Sequence, residues 1–396
     1  MIKKIVYKIE NVARIYSGGD KPECCSNEKN DEFSVPIYSN GLENEGLYGY
    51  TNKAQIEGDC ITVSARGVNI GTVFYRQQPF LPIVRLLSVI PDRSKINPKY
   101  LYYYFKTDKI IGTGSAQPQI TIPFFSKKKI YVFENIETQK KIASVLSAYD
   151  NLIENNNKRI KILEQVAENL YKEWFVRFRF PGHETTPLEN GIPKGWNYKR
   201  IYELYNTTSG GTPSRTNNSY YDNGNIPWVK TGELLDSLIT DTEEFITEEG
   251  LKNSSAKMIE PGSLLCSMYA GVGKLGINII PMTCSQATCV FTPKTDISIW
   301  YLFFWLKRNK EYLESISFGA AQQNISQDII KKITVLFPTE SVASVFDEKI
   351  KPIYQKIQNL MQQNANLIKQ RDLLLPRLMS GKLEICKGVN NERYSK

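Results

Sequence analysis

The chain has 396 residues, 41% hydrophobic and 23% charged, which excludes a disordered chain and a membrane protein and predicts several domains or an internal repeat. Its 50 Lys and Arg residues against 41 Asp and Glu residues give a net charge of +9, which favours an anionic partner, nucleic acid ahead of a membrane surface. The single histidine, His183, argues against Ser-His-Asp triads, histidine acid–base catalysis and most metal sites.

Two segments with patterns of both strands and helices, called mixed segments below, alternate with two long helical segments along the chain. In residues 1–136, Gly and Pro punctuate runs of β-branched and aromatic residues, which predicts short strands such as 61–63 and 71–75, followed by a helix over 98–109. Residues 137–180 are poor in Gly and Pro and predict one long helix. The mixed pattern returns in 181–338, with a helix over 299–313. A second long helix covers 339–385, before a tail at 386–396.

Matches between the two mixed segments occur in the same order, at offsets near 200 residues. Ser-Gly-Gly at 17–19 matches the same tripeptide at 209–211, and Val-Pro-Ile at 35–37 matches Ile-Pro-Trp at 226–228. Gly-Asp at 58–59 matches Gly-Ser at 262–263, and the rise of the offset from 191 to 204 indicates a 13-residue insertion in the second copy. Gly-Ser-Ala-Gln at 114–117 likewise matches Gly-Ala-Ala-Gln at 319–322. The predicted fold class is α+β, with two copies of a mixed α/β globule separated by two long helices.

The two long helices carry apolar residues at alternating steps of four and three, the heptad pattern of a coiled-coil seam. In the first helix the seam positions are Ile142, Leu146, Tyr149, Ile153, Asn156, Ile160, Leu163, Ala167, Leu170 and Trp174. In the second they are Phe346, Ile350, Ile353, Ile357, Leu360, Asn364, Leu367, Arg371, Leu374 and Leu378. The alternative interpretation is two amphipathic helices, each lying on its own globule.

The polar seam positions favour an antiparallel pair. In a parallel pair in repeat register, Asn156 would face Leu360, which buries an amide without a partner. An antiparallel pair with residue numbers summing to 520 places Asn156 opposite Asn364, and Arg371 opposite Tyr149. The seam from 142 to 174 would be about 50 Å long, more than one turn of B-DNA. We therefore predict a pseudo-two-fold molecule that holds two reading domains at opposite ends of an antiparallel coiled coil.

The whole chain resembles the DNA-specificity (S) subunits of type I restriction–modification systems. The resemblance rests on the order of short motifs and their alternation with heptads: Ile-Pro-Lys-Gly-Trp at 192–196, Thr-Ser-Gly-Gly-Thr-Pro at 208–213, the Gln-rich turns before each long helix, and Leu-Leu-Pro-Arg-Leu-Met-Ser-Gly-Lys-Leu at 374–383. The first copy departs from the second, with Asp-Lys-Pro at 20–22 where the second has Thr-Pro at 212–213.

This resemblance implies a non-catalytic subunit that reads a bipartite DNA target. Residues 1–136 and 181–338 would be the target recognition domains, and 137–180 and 339–385 the central and C-terminal conserved regions. Two modification subunits would methylate adenine from S-adenosylmethionine, and optional restriction subunits would cleave DNA with ATP, so the chain itself would bind no cofactor.

The sequence contains no Asn/Asp-Pro-Pro-aromatic methylase motif and no phosphate-binding GxxxxGK[ST] loop, in agreement with catalysis by partners. Gly271-Val272-Gly273 lacks the third glycine of a dinucleotide fingerprint and is better interpreted as a turn. The two remaining alternatives are a two-headed protein-binding adaptor without DNA recognition and a self-contained DNA-modifying enzyme.

Comparison of the two copies distinguishes residues that support the fold from residues that could read DNA. Residues that the copies share are expected to serve the fold, phosphate contact or subunit docking, and residues that differ are the candidates for base readout. The candidate DNA-binding residues are Lys21, Arg66, Asn69 and Arg76 in the first copy and Arg215, Asn217, Lys230, Tyr269 and Lys274 in the second. The shared Gln117 and Gln322 are candidates with two interpretations, turn capping ahead of adenine contact.

Charge is distributed unevenly between the two copies. Residues 1–136 hold 18 basic and 13 acidic residues, whereas 181–338 hold 14 and 16, with seven carboxylates between Glu233 and Glu249. Carboxylates near phosphate repel it, so this acidic segment is predicted on a face turned away from DNA, as a solvated loop or a contact for a partner subunit.

The seven cysteines are an odd number without a CxxC motif, and the start Met-Ile-Lys-Lys lacks an apolar signal core, which predicts a cytoplasmic protein with reduced thiols. Cys284 and Cys289, or the adjacent Cys24 and Cys25, are conceivable metal ligands. Their spacing matches no zinc site, which favours structural thiols. The longest apolar run, 299–306, is too short to span a bilayer.

Overall fold

The computed structural model describes residues 3–108, 110–112, 118–269, 271–295, 297–319 and 323–384. The chain divides into two compact units. Unit 1 comprises Met1–Glu154 and Asn364–Lys396, and unit 2 comprises Asn155–Gln363. Each boundary falls inside a long helix, so each unit contains one half of both long helices. Each unit has its own buried core.

Unit 1 begins with strands that form three small sheets. The strands are β1 (Lys4–Lys8), β2 (Ala13–Ser17), β3 (Val35–Tyr38), β4 (Leu47–Thr51), β5 (Cys60–Val63), β6 (Val73–Arg76), β7 (Leu81–Pro82), β8 (Leu87–Pro91) and β9 (Lys129–Phe133). The sheet orders are β2-β8-β5-β6, β4-β3-β7 and β1-β9. The β3–β7 pair is parallel and the other strand pairs of this unit are antiparallel.

The helices of this part of the chain are α1 (Pro98–Thr107), α2 (Ile122–Ser126) and α3 (Ile136–Tyr171), and α3 continues as a π turn over Lys172–Val176. Asn97 caps α1 by accepting a hydrogen bond from the Tyr100 amide at 3.0 Å, and Pro98 occupies the first turn. Tyr100, Leu101 and Phe105 are buried in the unit 1 core, which fixes α1 against the main sheet.

Unit 2 contains the second set of strands. They are β10 (Leu188–Glu189), β11 (Ile192–Pro193), β12 (Asn197–Arg200), β13 (Tyr205–Ser209), β14 (Ile226–Val229), β15 (Ser237–Ile239), β16 (Phe245–Ile246), β17 (Leu264–Ser267), β18 (Leu275–Asn278), β19 (Thr283–Cys284), β20 (Thr288–Pro293) and β21 (Thr334–Phe337). The helices are α4 (Ile201–Leu204), α5 (Glu248–Lys252), α6 (Ile299–Arg308), α7 (Lys310–Ser315), α8 (Gln327–Lys332) and α9 (Glu340–Ser380).

The two units repeat one strand topology, which confirms the duplicated mixed fold. The orders β13-β20-β17-β18, β16-β14-β19 and β12-β21 in unit 2 correspond to β2-β8-β5-β6, β4-β3-β7 and β1-β9 in unit 1. The insertion of the second copy adds β15, which pairs in parallel with β18 as a fifth strand. The helix expected over 299–313 is interrupted at Asn309, between α6 and α7.

Both long helices contribute to the core of each unit, which confirms the antiparallel pair. In unit 1, Ile142 of α3 and Leu378 of α9 lie in one buried cluster. In unit 2, the rings of Trp174 and Phe346 lie 5.7 Å apart. Both pairs have residue numbers that sum to 520, the predicted register. The alternative in which each helix lies on its own globule is therefore wrong.

All the predicted seam positions are buried or partly buried in the structure. The two seam amides, Asn156 and Asn364, are only 6% and 8% exposed. A buried amide requires a hydrogen-bond partner, and each of these residues makes an interaction. The direct pairing of Asn156 with Asn364 stays a prediction.

Candidate nucleic-acid interface

A glycine pair follows β2 in unit 1 and β13 in unit 2, and in both units its first glycine packs directly on a neighbouring backbone. The Gly18 amide donates to the Leu86 carbonyl at 2.8 Å, and a Cβ on Gly18 would lie 2.7 Å from the Pro82 carbonyl carbon. A Cβ on Gly210 would lie 2.3 Å from the Cys284 carbonyl oxygen. No side chain fits at either position, so the first glycine of each pair belongs to the scaffold.

The hairpin loop between β5 and β6 carries two of the predicted recognition residues. Arg66 is exposed and donates to Gln119 Oε1 at 3.2 Å, while Asn69 donates to the Asn40 carbonyl at 3.4 Å. The Asn40 side chain in turn accepts from the Ala65 amide at 2.8 Å. The structure therefore brings Arg66 and Asn69 together on one loop with a hydrogen-bonded backbone.

Asn40 and Gln119 position this loop, and sequence reasoning missed both. The signal for Asn40 was present, because Asn40-Gly41 is a turn dipeptide shortly after the Val-Pro-Ile match at 35–37. Gln119 lies two residues after the candidate Gln117. Gln117 and Gln322 themselves lie outside the described residues.

The corresponding loop in unit 2, between β17 and β18, carries Tyr269 and Lys274. Tyr269 is 40% exposed and forms an antiparallel bridge with Asn324. Lys274 is half-buried, its amide donates to Ser267 Oγ at 2.8 Å, and within the described ranges its ammonium has no ion pair. Gly271 has φ of 102° in the same loop, as a strand-connecting turn requires.

Lys21 lies at the start of the loop that follows the first glycine pair. Its Nζ is 5.1 Å from the centre of the Tyr48 ring, and Tyr48 itself is 45% exposed. The hydrogen bond with Tyr48 raises the pKa of Lys21, so this ammonium remains charged and open to an anionic partner.

Arg76 lies inside unit 1, in contrast to its predicted place in a recognition loop. Its side chain is 3% exposed, forms an ion pair with Glu45 at 3.1 Å and lies 3.6 Å from the centre of the Tyr38 ring. Its Nε also donates to Thr62 Oγ1 at 3.1 Å. A guanidinium with these partners stabilises the fold, and we leave Arg76 out of the proposed DNA surface.

Two carboxylates of the acidic segment form ion pairs with predicted DNA-binding cations of unit 2, while the placement of this segment on a face turned away from DNA stays a prediction. Glu244 accepts from Lys230 at 2.8 Å and from Arg215 at 2.7 Å, and Glu243 lies 3.3 Å from Lys230. The hydrogen bond from Lys230, followed by that from Arg215, lowers the pKa of Glu244. These two cations are therefore neutralised within the unit.

Asn217 has a structural contact as well. Its side chain caps a single helical turn at Asn218–Tyr220 by accepting from the Ser219 amide at 3.1 Å. The carboxamide oxygen that would accept from an adenine amino group is therefore occupied. The candidates that remain for DNA contact therefore lie on the β5–β6 and β17–β18 loops and, with Lys21, after the first glycine pair.

Four cysteines and the histidine have structural environments, whereas Cys24 is exposed and Cys25 is half-buried. Cys60, Cys266, Cys284 and Cys289 are buried, and burial raises the pKa of the Cys60, Cys266 and Cys284 thiols to about 12. Within the described part of the chain, no group of three His, Cys, Asp or Glu side chains is placed to hold a metal ion. The His183 Nδ1 lies 2.8 Å from the Phe180 carbonyl oxygen.

Among the described helices, none has the length and apolar character needed to cross a bilayer.

The duplicated fold with paired recognition loops is that of a DNA specificity domain present twice. The family model of the type I restriction modification DNA specificity domain matches residues 1–165 and 193–370. The chain belongs to this family.

Relatives of the family agree with this result. The chain is 30% identical over 332 residues to the type I restriction enzyme MjaIX specificity subunit of Methanocaldococcus jannaschii, covering 80% of this chain and 76% of the relative. It is 24% identical to the HindI specificity subunit of Haemophilus influenzae, covering 85% and 89%. The crystal structure of a type I S subunit from M. genitalium has the same fold, with a TM-score of 0.62, 16% identity and 97% coverage of both chains.

Proposed function

We propose that this chain binds double-stranded DNA at a bipartite sequence, each unit reading one half-site. The observation that carries the proposal is the repetition of one backbone framework with different exposed side chains on it. Arg66 and Asn69 occupy the loop in unit 1 whose counterpart in unit 2 presents Tyr269 and Lys274. A repeated scaffold with divergent polar loops suits the reading of two different half-sites.

The chain acts in this proposal as a positioning subunit without catalysis of its own. Methylation of adenine requires the target base to leave the stack, so the placement of a methyltransferase on the duplex decides which base it modifies. Two modification subunits would bind S-adenosylmethionine, and restriction subunits, where present, would use ATP. Such a complex acts on DNA in the cytoplasm.

The long helices supply surfaces for these partners. Ile162 and Val166, one helical turn apart on α3, are 63% and 48% exposed. Leu373 of α9 is 55% exposed. Exposed aliphatic side chains on a helix that already buries its seam are typical of a docking face for a protein partner, and we assign these faces to the modification subunits.

Mapping of methylated adenines in cells with and without this chain tests the proposal. The expected result is a split motif that is methylated only when the chain is present with its modification subunits. Binding of the full chain to duplex DNA should also weaken steeply with salt, because cations displace counterions from phosphates. Binding of S-adenosylmethionine by the chain alone, or weak DNA binding that salt does not change, would contradict it.

The separation of the half-sites provides a second test. Deletion of residues 157–163 and 357–363 removes one heptad from each long helix and keeps the seam in register. The deletion shortens the pair by about 10 Å, or roughly three base-pair steps, so the methylated motif should have a shorter spacer. An unchanged spacer in a folded variant would contradict the proposal that the length of the helices sets the distance between the half-sites.

A further inference from the structure

One exposed turn of unit 1 is held in an unusual backbone conformation. Val84 and Arg85, between β7 and β8, have φ of 52° and 57°. A β-branched residue at positive φ is a genuine outlier, and such outliers persist only where the surrounding structure imposes them. Val84 is nevertheless 54% exposed, and Arg85 is exposed beside it. The fold therefore presents an aliphatic and a cationic side chain to solvent at a strained turn.

The backbone amides of this turn are hydrogen-bonded to the glycine pair. The Val84 amide donates to the Gly19 carbonyl at 2.8 Å, and the Arg85 amide donates to the Gly18 carbonyl at 3.1 Å. Asn40 Nδ2 donates to the Val84 carbonyl at 2.7 Å. Rigid backbone beneath exposed side chains is the arrangement that precise contact with another molecule requires.

Asn40 connects this turn to the recognition loop. Its side chain contacts the Val84 carbonyl through Nδ2 and the Ala65 amide through Oδ1, at 2.7 and 2.8 Å. Its own carbonyl accepts from Asn69. Val84 and Arg85 therefore belong to the same surface as Arg66 and Asn69. Within the described residues, Arg85 forms no ion pair, in contrast to Arg76.

A turn closed by corresponding hydrogen bonds lies at this place in unit 2, with different side chains and without the positive φ of Val84 and Arg85. The hydrogen bonds Ile83 N to Tyr38 O, Leu86 N to Ile83 O and Gly18 N to Leu86 O recur as Ser285 N to Val229 O, Thr288 N to Ser285 O and Gly210 N to Thr288 O. This correspondence places Gln286 at the position of Val84, and Ala287 at that of Arg85. Gln286 is exposed, and its backbone amide donates to Thr212 Oγ1 at 3.3 Å.

We infer that this turn reads bases in both half-sites, with Val84 and Arg85 as specificity-determining residues of unit 1 and Gln286 as their counterpart in unit 2. The chemistry of the side chains assigns the contacts. Arg pairs in a bidentate manner with guanine O6 and N7, Gln pairs with adenine, and an aliphatic side chain contacts the thymine methyl group. The inference rests on the proposed DNA-binding function and adds to it the residues that discriminate sequence.

The test uses the full chain expressed with its modification subunits, and mapping of methylated adenines as the readout. Arg85→Ala should relax one base position of one half-site roughly tenfold, and Gln286→Ala should relax one position of the other half-site. Arg85→Lys retains the charge without the planar fork, so it should lose the same base preference. Arg14, an exposed arginine at the far end of β2 from the glycine pair, gives the matched control, and Arg14→Ala should leave the motif unchanged.

Several outcomes would overturn the inference. One is an unchanged motif in Arg85→Ala and Gln286→Ala, and another is a uniform loss of methylation at all sequences, the signature of a phosphate contact. Restoration of the complete preference by Arg85→Lys would also show that charge alone matters. A wild-type complex without any sequence motif would instead contradict the proposed function, so the two failures are distinguishable. Thermal unfolding of each variant confirms that it is folded.

Discussion

Arg371 of α9 donates to Asp150 of α3, with 2.6 Å between Arg371 Nη1 and Asp150 Oδ1. The second oxygen of Asp150 accepts from the Tyr103 hydroxyl of α1 at 2.5 Å. One carboxylate thus joins the recognition domain of unit 1 to both long helices. The antiparallel register predicts Arg371 opposite Tyr149, the residue that precedes this partner.

The corresponding positions in unit 2 are apolar. The repeat offsets relate Tyr103, Asp150 and Arg371 to Phe304, Tyr354 and Ala167, which are all buried in the unit 2 core. A buried junction between elements can be stabilised either by a charged network in which every group is hydrogen-bonded or by an apolar cluster. The two junctions should therefore respond differently to the loss of one side chain.

Asp150→Ala should lower the free energy of unfolding by about 1–3 kcal/mol, because it removes the acceptor of two partly buried donors. Chemical denaturation followed by circular dichroism measures the change. The control is Glu137→Ala in the same helix, which breaks an exposed ion pair with Lys140 and should change stability by less than about 0.5 kcal/mol. Equal effects of the two variants would contradict a structural role for the Asp150 network.

Gly18→Ala should destabilise unit 1 because its Cβ would meet the backbone of Pro82 at 2.7 Å. The expected loss is about 1–3 kcal/mol, as for other overpacked positions. Gly19→Ala is the matched control, since a Cβ there meets no atom within 4 Å. A lower Tm for the first variant with an unchanged or slightly higher Tm for the second confirms the close approach. The same Tm for both would disprove it.

Glu244 should make unit 2 less stable as the pH falls into the acidic range. Its pKa is lower in the folded chain than in the unfolded chain, so its stabilisation is complete above the unfolded pKa of about 4.3 and is lost as pH falls through the folded pKa. Glu244→Gln should therefore flatten the fall in stability below about pH 5. Urea unfolding at several pH values measures this effect. Substitution of the exposed Glu203 by Gln should retain the wild-type slope.

Lys21 and Lys230 should contribute differently to DNA binding. Lys21 is exposed and lies against an aromatic ring, whereas Lys230 is held by Glu243 and Glu244. Lys21→Ala should reduce the slope of log affinity against log salt by about 1, the value for one phosphate contact. Lys230→Ala should leave the slope unchanged. The reverse result would show that the carboxylates release Lys230 when DNA binds.

The sequence by itself determined the duplicated fold and the antiparallel seam. Both are encoded by position along the chain: a repeat is visible as an offset, and a heptad seam as a period. The two seam asparagines also indicated the direction of the helices, because a buried amide without a hydrogen-bond partner is costly and only the antiparallel pair places the two amides opposite each other. The acidic insertion was also visible, although its fifth strand was not.

Only the tertiary structure decided which polar residues are available to DNA. The sequence predicts Arg76 and Arg215 as loop cations available to DNA. In the structure both form ion pairs, with Glu45 and Glu244, which lie 31 and 29 residues away in the chain. Val84 and Arg85 carry no recognition pattern in the sequence. Their exposed turn is held by long-range hydrogen bonds from their amides to Gly18 and Gly19 and from Asn40 to Val84. The electrostatic environment of a side chain depends on segments that fold beside it, and no local pattern encodes those neighbours.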